Sequence, residues 1–268
     1  MYTAARVVEN RALARGNFVL RLTLPDGGES LAAALPGQFV MLRGEWGRDP
    51  LLPRAFSILR LRDGGCEILV KAIGRGTRLL QLAGEGAPLS LLGPLGKPFV
   101  PAATGAGDWL VAGGVGLAPL LWFAERHSSP GGHQLIYGAR SAEDLVLLDE
   151  IRATGATVAL TTEDGSAPAG WQSERGRVTD ALARLLPRDA ASGGRILTCG
   201  PNAMMRAVVE LARAHHRPCL VSVEGEMACG IGACLGCALP TVAPPDGRPF
   251  VYACVDGPVF DAARVVIP

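Results

Sequence analysis

Short runs of alternating apolar and polar residues, punctuated by Gly and Pro, fill the first hundred positions. The runs 18–24 (F-V-L-R-L-T-L) and 66–72 (C-E-I-L-V-K-A) read as strands, and D-G-G at 26–28, P-G at 36–37 and D-G-G at 63–65 read as turns. Residues 1–101 are therefore expected to form a small antiparallel barrel or sandwich. From 102 the period changes. Strands at 108–112, 134–137, 157–161 and 195–198 alternate with helical stretches at 117–127, 145–154, 178–186 and from 203 onward. Such alternation predicts a Rossmann-like doubly wound parallel α/β sheet over 102–220. The remainder, 221–268, reads as a cysteine-rich loop and a short β-like tail, with too little apolar mass to fold without a metal. The expected architecture is multidomain: an all-β barrel, an α/β domain and a small metal-binding appendage.

Composition narrows the partners more than the fold. The 268 residues are 49% hydrophobic, enough for sizeable cores, and the net charge is only +1 without long like-charge blocks. Neither nucleic acid nor an anionic membrane surface is suggested. The N-terminus lacks the apolar core of a signal peptide, and charges or glycines interrupt every apolar run before eighteen residues. A cytoplasmic protein is the expectation.

Four of the seven cysteines carry the sharpest signal. Cys229, Cys234 and Cys237 stand as C-x4-C-x2-C, and Cys254 follows after sixteen intervening residues. This is the plant-type [2Fe–2S] spacing. Glycines and alanines in the loop let the backbone curl around a small cluster and bring N–H groups to its sulfurs. A structural zinc site usually shows two short knuckles, and here only Cys234 and Cys237 form one. A disulfide framework suits neither seven cysteines nor the absence of an export signal. Cys66 and Cys219 read as small buried hydrophobes. The prolines between Cys237 and Cys254 (Pro240, Pro244, Pro245, Pro249) suggest a surface loop.

Two Gly-containing strand ends point to a ligand crevice. Gly113-Gly114-Val115-Gly116-Leu117 joins a strand to a helix, where glycines admit a pyrophosphate and the helix N-terminus favours its charge. A tight packing turn explains the same residues. A second strand end is Cys199-Gly200-Pro201. In the first block, Arg54, Phe56 and Ser57 offer a cation, a ring and a hydroxyl, with Ser57 on the opposite strand face unless a bulge intervenes. Gly74-x-Gly76-Thr77 reads as a phosphate-cradling turn into a short helix over 78–83; an ordinary hairpin with a surface Arg is the plain alternative. The four histidines (127, 133, 215, 216) fall outside every motif.

In this order, R-x-F-S, G-x-G-T, a Gly-rich turn and C-G-P resemble the ferredoxin–NADP reductase superfamily. With C-G-I-G-A-C-L-G-C at 229–237 and V-D-G-P-V-F at 255–260, the chain looks like the electron-transfer subunits of class 1B NAD-dependent dihydroorotate dehydrogenases. The resemblance covers the whole chain. It implies FAD on the barrel (1–101), NAD(H) on the α/β domain (102–220) and a [2Fe–2S] cluster on Cys229, Cys234, Cys237 and Cys254 (221–268). FAD contacts would fall on Arg54 (pyrophosphate), Phe56 (isoalloxazine), Ser57 (near N5), Ile73, Gly74, Gly76 and Thr77. Nicotinamide nucleotide contacts would fall on Gly113, Gly114, Val115, Gly116, Leu117, Cys199, Gly200 and Pro201, with Cys199 near the nicotinamide unless it is simply a buried strand cysteine. The implied partner is an FMN-containing catalytic subunit, two copies of each making a heterotetramer for pyrimidine biosynthesis. Ala55 stands where the family often has Pro.

Hydride exchange moves two electrons and a cluster takes one, so something must hold the intermediate electron, which a flavin can do, and no acid–base pair is assigned. Glu163 and Asp164 occupy the stretch where NADP-specific relatives carry a Ser-Arg pair, which favours NADH. The small subunit of an NADH-dependent ferredoxin:NADP oxidoreductase has a similar layout but is expected to use an Asp cluster ligand. A non-enzymatic iron–sulfur sensor would have lost the flavin motifs, which stand here intact. Ile231, Leu235 and Leu239 predict an apolar docking rim around the cluster.

Overall fold

The computed structural model describes residues 2–102, 107–127, 132–189, 194–242 and 247–268. Six strands close an antiparallel barrel in the order β1-β2-β5-β4-β3-β6: β1 (Thr3–Ala12), β2 (Asn17–Thr23), β3 (Phe39–Gly44), β4 (Arg54–Arg62), β5 (Gly65–Lys71) and β6 (Pro88–Leu95). Closure, rather than a sandwich, removes every edge. Alternation assigns the faces. Phe18, Leu20 and Leu22 of β2 fill the barrel with Val40, Ile58 and Ile68, whereas Val19, Leu59 and Leu69 face outward into a second core. A short helix, α1 (Arg75–Gln81), connects β5 to β6. It starts at Arg75, three residues before the expected start, because Thr77 Oγ1 accepts the N–H groups of Ile73 and Gly74 and caps the turn.

The second unit is a seven-stranded sheet in the order β10-β9-β8-β7-β11-β12-β15. Its strands are β7 (Trp109–Gly113), β8 (Gln134–Ala139), β9 (Thr157–Thr162), β10 (Ser173–Arg175), β11 (Ile196–Cys199), β12 (Cys219–Ser222) and β15 (Val259–Asp261). All pairings are parallel except β12 with β15. The chain order reverses at β7, which lies between β8 and β11, and ligand crevices open at such points. Helices α2 (Leu117–Arg126), α3 (Leu148–Ala153), α4 (Val178–Leu185) and α5 (Asn202–Ala214) cover the sheet. Residues 117–124 of α2 are all buried, and its apolar side meets the outward residues of the barrel. The helix expected from 145 begins at Leu148. Leu145, Val146 and Leu147 are all buried, and Leu147 takes a left-handed backbone (φ 60°) to enter α3.

The tail does not stand alone. β15 adds an antiparallel edge to the sheet, and a two-stranded ribbon, β13 (Ala238–Pro240) with β14 (Phe250–Tyr252), flanks the cysteine loop. Cys237, Leu239, Ala253, Cys254 and Phe260 share one core with Phe39 and Met41 of the barrel and Trp109 of the sheet. The segment thus takes its core from both neighbours. This corrects the expected rim, since Leu239 is 4% exposed and belongs to that core. Pro244 and Pro245 lie outside the described residues.

Candidate functional site

Two adjoining cavities run along the seam between barrel and sheet. The barrel-side cavity, about 600 Å³, is lined by Arg54, Phe56, Ser57, Ile73 and Thr77 among others. β4 pairs with β3 over residues 54–57 but with β5 only from Ile58. All four residues from Arg54 to Ser57, Ser57 included, line the cavity along this stretch, where β4 is paired on one side only. Arg54 Nη1 donates to the Leu52 carbonyl (2.5 Å), and its guanidinium lies against Gly76, where an added Cβ would stand 2.6 Å from Arg54 Cζ. Gly74 is the exposed N-cap of α1, and Gly76 is buried in its first turn against Arg54; neither lines the cavity.

The sheet-side cavity, about 680 Å³, lies at the C-terminal ends of β7, β8 and β9 and takes in Gly113, Gly114, Val115, Glu163 and Pro201. Gly114 has a left-handed backbone (φ 55°) that turns the chain into α2. The other residues marked from sequence stand behind this wall. Gly116 packs on the Cys199 carbonyl, Leu117 is in the core, Cys199 is 2% exposed, and Gly200 lies against the Gly113 amide. Burial, with the Glu224 carboxyl nearby, pushes the Cys199 thiol far above its ordinary value. Asp164 turns away from the cavity: its Oδ1 accepts the N–H (2.9 Å) and the hydroxyl (2.6 Å) of Ser166. Only Glu163 of that acidic pair faces the cavity.

Sequence reasoning passed over several residues that the fold brings here. Lys71, Arg140, Asp144, Arg177 and Glu224 line the sheet-side cavity. Lys71, Ile73, Val115 and Glu224 line both cavities, so the two adjoin. Glu224 follows β12 and is open to the cavities, yet the surrounding protein desolvates it and raises its carboxyl above the ordinary value. One available signal was position: Lys71 stands three residues before G-x-G-T and Glu224 five before Cys229.

The barrel-side cavity leads to the cysteines, because its wall includes Met227 and Ala228. Beyond them Gly230 (φ 75°) seats the loop on Met41 and Leu95, Gly232 (φ 78°) lies against Val255, and Leu235 is left-handed (φ 59°) despite its side chain. Among the described residues no three of His, Cys, Asp and Glu gather around a single ion. The thiols stand instead as two pairs. Cys237 Sγ lies 3.3 Å from Cys254 Sγ, and the Cys234 amide donates to Cys229 Sγ at 3.4 Å. On one tetrahedral metal with bonds of about 2.3 Å, two thiolates stand about 3.7 Å apart. Two pairs, one per iron, therefore suit a binuclear cluster better than mononuclear zinc.

Backbone amides already point at these sulfurs. The Gly232 N–H donates to Cys254 Sγ at 3.2 Å. Burial would raise the Cys229 thiol, but hydrogen bonds from the Ile231, Cys234 and Ala233 amides and the Cys234 side chain bring it down to about 7. Burial and the neighbouring Cys237 disfavour the Cys254 thiolate and push the thiol up to about 12. Three large apolar side chains are exposed at the loop and beside Cys254: Ile231 is 58%, Leu235 53% and Val255 48% exposed.

Residues 224–266 match the family described as the iron–sulfur cluster binding domain of dihydroorotate dehydrogenase B, and residues 110–210 the oxidoreductase NAD-binding domain. The chain is 36% identical over 238 residues to the dihydroorotate dehydrogenase B (NAD⁺) electron transfer subunit of Bacillus caldolyticus, covering 87% of each chain. It is 31% identical over 264 residues to a homolog of that subunit from Aquifex aeolicus, covering 98% of each. Among solved structures, that of an NADH-dependent reduced ferredoxin–NADP oxidoreductase superposes with a TM-score of 0.82 at 27% identity, over 98% of this chain and 89% of the other. The ferredoxin reductase of carbazole 1,9a-dioxygenase follows the same fold, with a TM-score of 0.70 at 25% identity over 81% of this chain and 67% of its own.

Proposed function

We propose, from the premise that this chain belongs to the family of dihydroorotate dehydrogenase B electron-transfer subunits, that its two cavities and cysteine loop form one electron route between NAD(H) and a catalytic partner. The chain is an oxidoreductase subunit of FAD, [2Fe–2S] and NAD(H). The observation that carries the route is adjacency: the cavities share Lys71, Ile73, Val115 and Glu224, and the barrel-side wall includes Ala228, next to Cys229.

We assign the flavin to residues 1–101, NAD(H) to 102–220 and the cluster to 221–268. Arg54 would neutralise the flavin pyrophosphate, with Gly74, Gly76 and Thr77 shaping the turn beneath it and Ile73 beside it. Phe56 would lie against the isoalloxazine and Ser57 near N5. Gly113, Gly114 and Val115 would leave room for the nucleotide pyrophosphate, held from behind by Gly116, Leu117, Cys199 and Gly200, with Pro201 on the far wall and Glu163 taking ribose hydroxyls. Cys229, Cys234, Cys237 and Cys254 would hold the irons. When bound, the flavin links two-electron exchange with the nicotinamide to one-electron exchange with the cluster. The protein's part is to align the three groups, exclude water at the seam and solvate cluster charge with backbone amides.

The catalytic partner we propose is an FMN-containing dihydroorotate dehydrogenase subunit, two copies of each chain assembling in the cytoplasm. The exposed Ile231, Leu235 and Val255 would form the docking rim, and among the described residues no helix is long and apolar enough to cross a membrane. The ferredoxin:NADP oxidoreductase layout is less favoured, because all four ligand positions are cysteine.

The test is NADH formation from dihydroorotate and NAD⁺, with this chain reconstituted beside its host's FMN-type subunit. Turnover should require both proteins. Failure of the pair while this chain alone still reduces dyes with NADH would refute the partner and keep the reductase.

A further inference from the structure

Strand β3 runs from the barrel-side cavity to the cysteine loop. Val40 and Leu42 belong to the barrel core, so Phe39 and Met41 point outward from it. Phe39 lies directly across the ladder from Ser57, and both line the barrel-side cavity. Met41 stands about 7 Å further along the strand, across from Ala55. There it seats the cysteine loop: a Cβ on Gly230 would stand 2.6 Å from Met41 Cγ and 3.2 Å from its Sδ. Phe39 and Met41 are both buried and belong to the core that holds Cys237 and Cys254. Ala55 and Met227 line the cavity and pack against that same core. One face of one strand therefore meets the flavin cavity at Phe39 and the cluster loop at Met41.

We propose that Phe39 and Met41 form a dry bridge between flavin and cluster, which sets the width of the gap and keeps water out of it. This rests on the assignment of the flavin to the barrel-side cavity and of the cluster to the four cysteines. Electron exchange between two groups weakens steeply as the gap between them widens or its packing loosens. What crosses is one electron per step, taken from the reduced flavin and given to one ferric ion, with no bond formed or broken between them. Neither bridging side chain carries an exchangeable proton, so the flavin's protons stay on its own side. The two residues differ in duty. Phe39 reaches the cavity and fills the gap, while Met41 holds the loop and belongs to the apolar shell that limits solvent at the metal.

The test mixes the flavin- and cluster-loaded protein with NADH without oxygen and follows flavin and cluster absorbance separately. Phe39→Ala should leave flavin reduction within about twofold of the parent and slow cluster reduction roughly tenfold or more, with cluster potential and iron retention unchanged. Phe39→Leu, a smaller cut that spares the fold, should slow the same phase roughly threefold or more. Met41→Ala should slow it too and let a chelator strip the iron roughly tenfold faster. Met41→Leu keeps the volume and should match the parent in both readouts. Cluster reduction within about twofold of the parent in both alanine variants would overturn the bridge, and Phe39→Leu decides in the same way if Phe39→Ala does not load its cofactors. A slowing that lost flavin or a shifted potential explains would overturn it as well. A parent protein whose flavin is reduced by NADH while its cluster stays oxidised would overturn the electron route itself, and the bridge with it.

Discussion

The thiols of Cys237 and Cys254 meet at 3.3 Å across seventeen positions of sequence, one from the loop and one from the turn after β14. Both are in the core that joins the tail to the barrel and sheet, whereas Cys234 is exposed. The four ligand positions therefore differ in what their loss removes. Cys234→Ser should abolish the visible absorption of the cluster and partner reduction, with little change in melting temperature and with NADH–dye activity retained. Cys254→Ser should lose the cluster too and also destabilise the fold by about 1–3 kcal/mol, because a hydroxyl is buried at a site 2% exposed. Iron content, melting curves and dye reduction on the two variants separate these outcomes. Partner reduction that survived Cys234→Ser would refute the route through the cluster.

Gly76 has no room for a side chain, although its helix would welcome one. Replacing Gly by Ala inside a helix ordinarily stabilises by about 0.5–1 kcal/mol. Here the new methyl would collide with the Arg54 guanidinium. Gly76→Ala should displace that cation from the barrel-side cavity and weaken flavin binding at least about tenfold, while the flavin-free protein melts no lower than the parent. Flavin retained at parental affinity would show that Arg54 is not its phosphate partner.

These sites were legible to different degrees, for physical reasons. The cluster ligands could be read because three of them lie within nine residues, where spacing and geometry coincide. Arg54, Phe56 and Ser57 were readable as a local constellation, although alternation alone placed Ser57 wrongly with respect to the cavity. Lys71, Asp144 and Glu224 were not readable as a group: they come from a barrel strand, a turn after β8 and the end of β12, and only the docking of two units brings them together. Leu239 misled because an apolar residue beside an exposed loop serves a rim and a core equally well in sequence. The packing of the tail was not legible because a short segment can borrow its core, and neither length nor composition shows from whom.

Glu224 should leave a trace in the pH dependence of stability. Its carboxyl is raised by desolvation, so the fold holds the proton more tightly than the unfolded chain does. Its contribution is greatest below the unfolded value of about 4.3 and declines as pH rises through the higher folded value. Glu224→Gln removes the group that becomes charged. In nucleotide-free protein the variant should melt above the parent at pH 7–8, and the gap should close by about pH 4. A gap that is constant with pH would mean that Glu224 is no less solvated in the fold than out of it.

On the proposed assignment of NAD(H) to the sheet-side cavity, selectivity between NADH and NADPH should turn on one carboxylate among two guanidiniums. Glu163 lines the sheet-side cavity at the end of β9, and its amide donates to the Ala139 carbonyl at the end of β8. Arg140 follows that carbonyl, and Arg177 precedes α4; both line the same cavity. A carboxylate there accepts ribose hydroxyls and repels a 2′-phosphate, while the arginines would bind one if the repulsion were removed. Glu163→Gln should therefore leave NADH turnover within a few-fold of the parent and raise kcat/KM for NADPH by about tenfold or more, about 1.4 kcal/mol in transition-state binding. Adding Arg177→Ala to that variant should reverse the gain for NADPH and spare NADH. Dye-reduction kinetics with both nucleotides decide the matter. Equal NADPH and NADH turnover in the parent would show that Glu163 does not discriminate at the 2′ position.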